Sequence, residues 1–298
     1  MKRKASEQDD TNNTSDNESS GDEGPQDIVD VDFDFYNPEQ VDYQALKRLL
    51  GQLFSSDAEL IQLGDIVDIL LEENHVGTTV KVDGQESDPY AILSVISTQQ
   101  NKNNAGVQSL ISYLLGKIKD QGVKSILADK AVGWVVSERF VNMPMEIMPP
   151  MYNMMQEETK QAVENGEPYQ FEWYMFISKT YKEVSPTVDE EGDEEMPQAK
   201  PQPKKKGKKK AAAAAQDTAE VFYFQPEDEV IDQYAEYKVD FKFTNREKEA
   251  SSDAKRAFSD FGIAPARRLM LVHHSKLQEA INEIEKLCAA TAAAAGLA

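Results

Sequence analysis

The sequence predicts an α+β (α/β) domain built on a central, mostly antiparallel sheet flanked by helices. Three observations predict it. Apolar residues recur at helical spacing in several separated stretches. Between them lie short runs rich in Val, Ile, Trp, Tyr and Phe that read as strands, one pair joined by an Asp83-Gly84 turn signal. The two patterns interleave along the chain, as expected where helices cover a shared sheet.

Val41 to Phe54 places Leu46, Leu49, Leu50 and Phe54 on one helical face, and Asp57 to Glu73 repeats the pattern from Leu60 to Leu71. Val76 to Val82 alternates and leads through Asp83-Gly84 toward Tyr90–Ile96, a hairpin. Val107, Leu110, Ile111, Leu114, Leu115 and Ile118 mark a helix closed near Gly122. Val132–Val136 is a core strand, followed by a helix from Met145 to about Val163. Tyr169–Tyr181 and Tyr234–Phe243 read as long strands, and Arg268–His273 as a last strand feeding a helix over Ser275–Cys288. The flexible tail Ala289–Ala298 is expected to be a frayed helix end.

Low-complexity stretches set the boundaries. Residues 1–30 hold Asp, Glu, Ser, Asn and Gly with almost nothing apolar, too little to offset the entropy of ordering, and read as a disordered acidic head. Residues 31–288 read as a single domain. A second stretch over 185–217 is expected as a disordered loop inserted in it, because strand patterns lie on both sides. That loop opens acidic, turns basic at Lys204, Lys205, Lys206, Lys208, Lys209 and Lys210, and ends in alanines.

Charge narrows the partners. Lys and Arg number 32 against 53 Asp and Glu, a net charge of −21 and a pI near 4.6. Such a surface repels phosphate and favours basic partners, so no direct nucleic-acid binding is expected. The lone cysteine, Cys288, excludes an internal disulfide and suits a reducing compartment. No run of about 18 apolar residues appears, so no membrane insertion is expected, and the first residues lack a secretory apolar core.

Catalytic chemistry finds little footing. Three histidines, His75, His273 and His274, lack chelating spacing, and adjacent strand residues point to opposite faces, so no metal is expected. Neither a P-loop nor a G-x-S-x-G nucleophile elbow occurs. Asn103-Asn104-Ala105-Gly106-Val107-Gln108 lacks the leading Gln or Arg and the trailing small residue of an acetyl-CoA pyrophosphate loop, and reads as a capped helix start. No cofactor is expected. A divergent acyltransferase would draw on Glu138 or Glu172 as base and on Tyr174 or Tyr181 as acid.

Three features bear on partners. The run Lys204–Lys210 has the form of an importin-read nuclear signal, with Lys2-Arg3-Lys4 a weaker one. Ser6, Ser15, Ser19 and Ser20 each have an acidic residue three positions on and suit an acid-directed kinase. Ser137, Glu138, Arg139, Met151 and Tyr152 are the residues expected to dock a partner. The structural alternative is that Glu138 and Arg139 leave the strand to pair or face solvent, and that Met145, Met148, Met151, Met154 and Met155 form a core-facing stripe.

VGWVVSERFVNMPMEIMPPMY over Val132–Tyr152 and YMFISKTYKE over Tyr174–Glu183 carry a resemblance to the BCCIP family of eukaryotic nuclear proteins. It extends from Val31, at VDFDFYNPEQVDYQALKRLLGQLF, through the Arg267–Met270 strand to Cys288. The resemblance implies a GNAT-like fold without acetyltransferase activity, and a nuclear protein shuttling to the cytoplasm. It implies a chaperone and export factor for a large-subunit ribosomal protein, an import and export receptor cargo, and an aid to nuclear exit of a phosphoinositide lipid kinase. The alternative it carries is a cell-cycle and DNA-repair binding scaffold.

Overall fold

The computed structural model describes residues 32–183, 220–245 and 262–294. The predicted head, the inserted loop with its lysine run, and the four serine candidates Ser6, Ser15, Ser19 and Ser20 lie outside the described residues, apart from the loop's flanks. Those from Phe33 onward belong to one compact unit.

Eight strands form one sheet: β1 (Asp34–Tyr36), β2 (Gly77–Lys81), β3 (Ala91–Ser97), β4 (Val132–Arg139), β5 (Trp173–Glu183), β6 (Val221–Tyr223), β7 (Tyr237–Phe241) and β8 (Ile263–His273). Their order is β1-β2-β3-β4-β5-β8-β7, with β6 lying against β5. Every neighbouring pair is antiparallel except β4 and β5, which run parallel. A parallel pair requires a crossover. Helix α5 (Met148–Glu164) supplies it.

Four helices cover one face: α1 (Tyr43–Phe54), α2 (Leu63–Glu72), α3 (Ala105–Lys117) and α4 (Gln121–Asp129). Helix α5, with α6 (Pro226–Tyr234) and α7 (His274–Ala294), covers the other. Strand alternation feeds both cores from the same strands. Trp134 and Val136 face α1–α4, whereas Val135 faces α5–α7.

The predicted hairpin is present, with Thr78 opposite Leu93 and Val80 opposite Ala91. The single helix expected over Asp57–Glu73 is broken: a 3-10 turn spans Ser55–Leu60, extended Ile61 follows, and α2 begins at Leu63. Asp57 explains the break. It is buried and accepts from the Tyr113 hydroxyl at 2.8 Å and from the backbone N–H groups of Thr244 at 2.7 Å and Asn245 at 2.9 Å. The long strand expected from Tyr234 is shorter, because α6 occupies the chain up to that residue. Helix α4 and the short β6 were not anticipated, and α7 continues past Cys288 to Ala294.

Two close approaches fix the helices and the sheet. Asn104 caps α3, accepting from Gly106 N at 2.7 Å and Val107 N at 3.3 Å. A Cβ on Gly106 would lie 2.7 Å from Ile66 Cγ1 and 2.9 Å from Gln62 O, so this glycine serves helix packing. On β4, a Cβ on Gly133 would lie 2.6 Å from the Phe171 ring. Gly133→Ala should therefore cost about 1–3 kcal/mol by overpacking, and Asn104→Ala about 1 kcal/mol by loss of the cap. Urea unfolding of each variant checks both.

Candidate functional site

Strands β4 and β5 stay together only briefly. Their parallel register runs from Val132–Trp173 to Trp134–Met175. Beyond it β4 continues along β3, while β5 continues along β8 and takes β6 against Thr180–Lys182. The opening between them is a fork, filled by charged side chains.

Alternation sends the successive residues of the SERF word to opposite faces. Glu138 points to the α1 side, where Lys179 of β5 donates to its Oε2 at 2.7 Å. Burial pushes the Glu138 carboxyl up, against the pull of Lys179, Arg267 and Arg139. Arg267 of β8 donates through Nη2 to Gln52 O at 3.1 Å, bonds Leu53 O, and lies 4.7 Å from the Phe243 ring centroid.

On the α5 side Arg139 forms a two-pronged pair with Glu227 of α6, Nε to Oε1 at 2.9 Å and Nη2 to Oε2 at 3.0 Å. Its Nη1 donates to Met143 O at 2.6 Å, tying down the connection into α5. Planar guanidinium geometry suits such a fork. Asp228 follows, only 4 % exposed. Burial pushes its carboxyl well above the usual range, and the neighbouring Glu227 and Glu138 carboxylates add to the effect. Tyr152 of α5 is fully buried in the same place, and burial followed by Asp228 and Glu227 pushes its hydroxyl up.

A second network closes the fork from outside. Arg268 of β8 grips Asp240 through Nε at 2.6 Å and Nη2 at 3.1 Å, and its Nη1 reaches Asp232 and the Tyr223 hydroxyl, each at 2.9 Å. Lys238 adds a bond to Asp232 at 2.7 Å. For Asp232, burial is outweighed by these donors and the carboxyl is held low. Together the two networks pin β6 and α6 across the fork.

The expected docking residues are thus placed differently from their prediction. Glu138, Arg139, Met151 and Tyr152 are buried and Ser137 is half-buried, so a partner resting on the surface does not meet the first four. They take the alternative reading: Glu138 and Arg139 pair while still in β4, and Met145, Met148, Met151 and Met155 are core, with Met154 half-buried. Glu227, Asp228, Lys179 and Arg267 complete the cluster and were not singled out from the sequence. The two alternative acyltransferase bases lie at opposite ends of β4. Glu172 bonds Ala131 at the start of β4 and pairs with Lys130 at 3.2 Å, whereas Glu138 lies near its end, about 20 Å away at strand rise. Tyr174 is buried on the α5 side and Tyr181 stacks on Phe222.

Among the described residues no group of three or more His, Cys, Asp or Glu is arranged to hold a metal ion, and no helix is long and apolar enough to cross a membrane. His75 pairs with Glu167 at 2.6 Å. His273 and His274 straddle the β8–α7 junction.

The BCCIP family model matches residues 28–231, a span containing the fork, its Arg139–Glu227 pair and Asp228. This chain belongs to the BCCIP family. It is similar to Protein bcp1 of Aspergillus oryzae, 38 % identical over 275 residues, covering 89 % of this chain and 90 % of that protein. Protein BCP1 of Debaryomyces hansenii is 37 % identical over 284 residues, 89 % of this chain and 88 % of its own. Protein bcp1 of Schizosaccharomyces pombe is 34 % identical over 274 residues, 89 % and 92 %. Among solved structures, the crystal structure of BCP1 from Saccharomyces cerevisiae matches with a TM-score of 0.56 and 26 % identity, covering 88 % of this chain and 91 % of that one. The match agrees with the mixed α/β architecture and its mostly antiparallel sheet.

Breaking the buried pair leaves a charge without its partner. Glu227→Gln should destabilise the folded unit by about 3–5 kcal/mol, read by denaturant unfolding. Asp228 sets a pH dependence of known sign. Its folded pKa is raised above the ordinary 3.8, so above that pH the folded state keeps a proton that the unfolded chain has lost. The stability present below pH 3.8 is therefore lost as pH climbs toward the folded pKa. Asp228→Asn, neutral throughout, should be more stable than wild type at pH 7 and converge with it near pH 4, as unfolding midpoints across that range will show.

Proposed function

We propose that this BCCIP-family chain is a non-enzymatic nuclear chaperone and escort for a basic large-subunit ribosomal protein, supporting its export and ribosome biogenesis. One observation carries the reading. Of the 21 net negative charges only six belong to residues 1–31, where nine acidic residues face three basic ones, and residues 184–219 balance seven of each. The remainder belongs to residues 32–183 and 220–298.

A fixed acidic surface attracts a basic client over a Debye length and competes with the nucleic acid to which free basic proteins bind. Charge raises the association rate, while shape and apolar contacts select the client. The buried charges of the fork bond one another, Arg139 to Glu227 and Glu138 to Lys179, so a client meets the surface rather than the fork. In this reading the lysines from Lys204 to Lys210 are read by import receptors, and the protein shuttles between nucleus and cytoplasm. A phosphoinositide kinase is a second cargo for the same export route.

Titration calorimetry of the full chain with purified large-subunit ribosomal proteins, taken one by one, tests the reading. One basic protein should bind near one-to-one. Raising salt from about 0.1 to 0.5 M shortens the screening length from about 10 Å to a few ångström and should weaken that binding roughly tenfold without abolishing it. Equal, weak binding of all of them that vanishes at high salt would sink the dedicated escort and leave a scaffold for other partners.

A further inference from the structure

The acid of the folded unit is not shared equally between its two faces. Helices α1–α4 carry four acidic and four basic residues, whereas α5–α7 carry ten acidic against three lysines. Two of the ten, Glu227 and Asp228, are buried in the fork; the others stand at or near the surface. The α5–α7 face is therefore the strongly acidic one.

That face also contains a groove. It measures about 750 Å³ and lies between α5 and the start of α7, with Phe171 and Tyr174 of the sheet side as its floor. The size falls within the range of clefts that bury a drug-sized ligand. The helices meet where Asn153 donates to Glu285 at 2.7 Å. The groove is lined by Val163 near the end of α5, with the buried Met155 and Leu277 beneath its apolar side. Val163 is one of four large apolar side chains left substantially exposed among the described residues, at 38 %.

The polar groups of the groove point to a protein ligand. Thr159 Oγ1 is buried, with its residue only 8 % exposed, and finds no hydrogen-bond partner among the described residues. Thr159 lines the groove. A buried hydroxyl left in this state costs free energy that a ligand's backbone N–H or carbonyl relieves on binding. On the rim, Lys160 sits 4.0 Å from Glu164, while Glu157 has no cation in a salt bridge with it among the described residues.

We propose that the α5–α7 groove docks a basic segment of a partner protein, which inserts large apolar side chains over Met155, Val163 and Leu277 while its Lys or Arg residues meet the acidic helices around it. The assignment rests on the escort reading for the identity of the partner, but the groove itself is tested without it. Apolar anchors in a partly desolvated pocket give specificity, and the surrounding charge gives rate. The acidic face disfavours nucleic acid as the occupant.

The probe is a fluorescent lysine–leucine peptide patterned to put its leucines on one helical face, compared with a lysine–serine peptide of equal charge. Full-length Val163→Arg and Gln278→Arg place a cation at each wall of the groove. Val141→Arg, at a residue 80 % exposed in the β4–α5 connection, adds the same charge elsewhere. Both groove variants should weaken lysine–leucine binding at least roughly tenfold, with Val141→Arg close to wild type and the lysine–serine peptide weak throughout. Equal affinity of all three variants for the lysine–leucine peptide, or equal binding of the two peptides by wild type, overturns the groove. The same variants are then titrated with the basic ribosomal protein. Binding retained by Val163→Arg and Gln278→Arg removes the groove as the site of that client and leaves the escort reading standing. Failure of wild type to bind any such protein removes the escort reading, while the peptide comparison still decides the groove.

Discussion

The short parallel contact between β4 and β5 is the constraint on which the surrounding structure depends. Parallel strands cannot be joined by a tight turn, so α5 must cross over one face of the sheet. Because the pair then diverges after Trp134 and Met175, backbone groups and side chains at the ends of both strands lose their natural neighbour. The chain meets this with charge: Glu138 turns one way to Lys179, and Arg139 the other way to Glu227. One dipeptide thereby ties β4 to β5 on one side and to α6 on the other.

Such a cluster is costly to bury, and its components do not contribute equally. Arg139 and Glu227 satisfy each other in a two-pronged pair, and Lys179 matches Glu138. Asp228 has no cation of its own in a direct salt bridge among the described residues, and burial raises its affinity for a proton. Buried ion pairs of this kind add little net stability, but a segment misplaced so that one partner is lost leaves a buried charge unmatched, at a cost of about 3–5 kcal/mol. Here the segment so specified is β6–α6, held also by Arg268 through Asp232, Asp240 and Tyr223. Its position completes one wall of the acidic face.

Much of the fold was legible because periodicity is a local property. The α1 stripe of Leu46, Leu49, Leu50 and Phe54 is buried throughout, and the Asp83-Gly84 turn does join antiparallel strands. Gly84 adopts a φ of 82°, the left-handed conformation that such a turn needs. The misses have physical causes. Asp57 breaks a helical pattern by accepting backbone N–H groups nearly two hundred residues away in sequence. Helix α6 opens on a helix-start signal, Pro226 in its first turn followed by Glu227, Asp228 and Glu229. Its apolar face is only Val230 and Ile231, too brief to show a period.

By itself the sequence determined the helical faces, the hairpin, the acidic balance and the membership suggested by Val132–Tyr152, because each depends on neighbours along the chain. Only the tertiary structure decided what Glu138 and Arg139 do. Their partners Lys179 and Glu227 lie 41 and 88 positions away, and no spacing rule links them. It likewise turned Met151 and Tyr152 from surface candidates into core, since burial is set by what packs on a residue rather than by its type. The concentration of acid on α5–α7 is also a product of folding. Charges spread over separate stretches of chain come to share a surface only when the β4–β5 crossover brings those helices onto one side of the sheet.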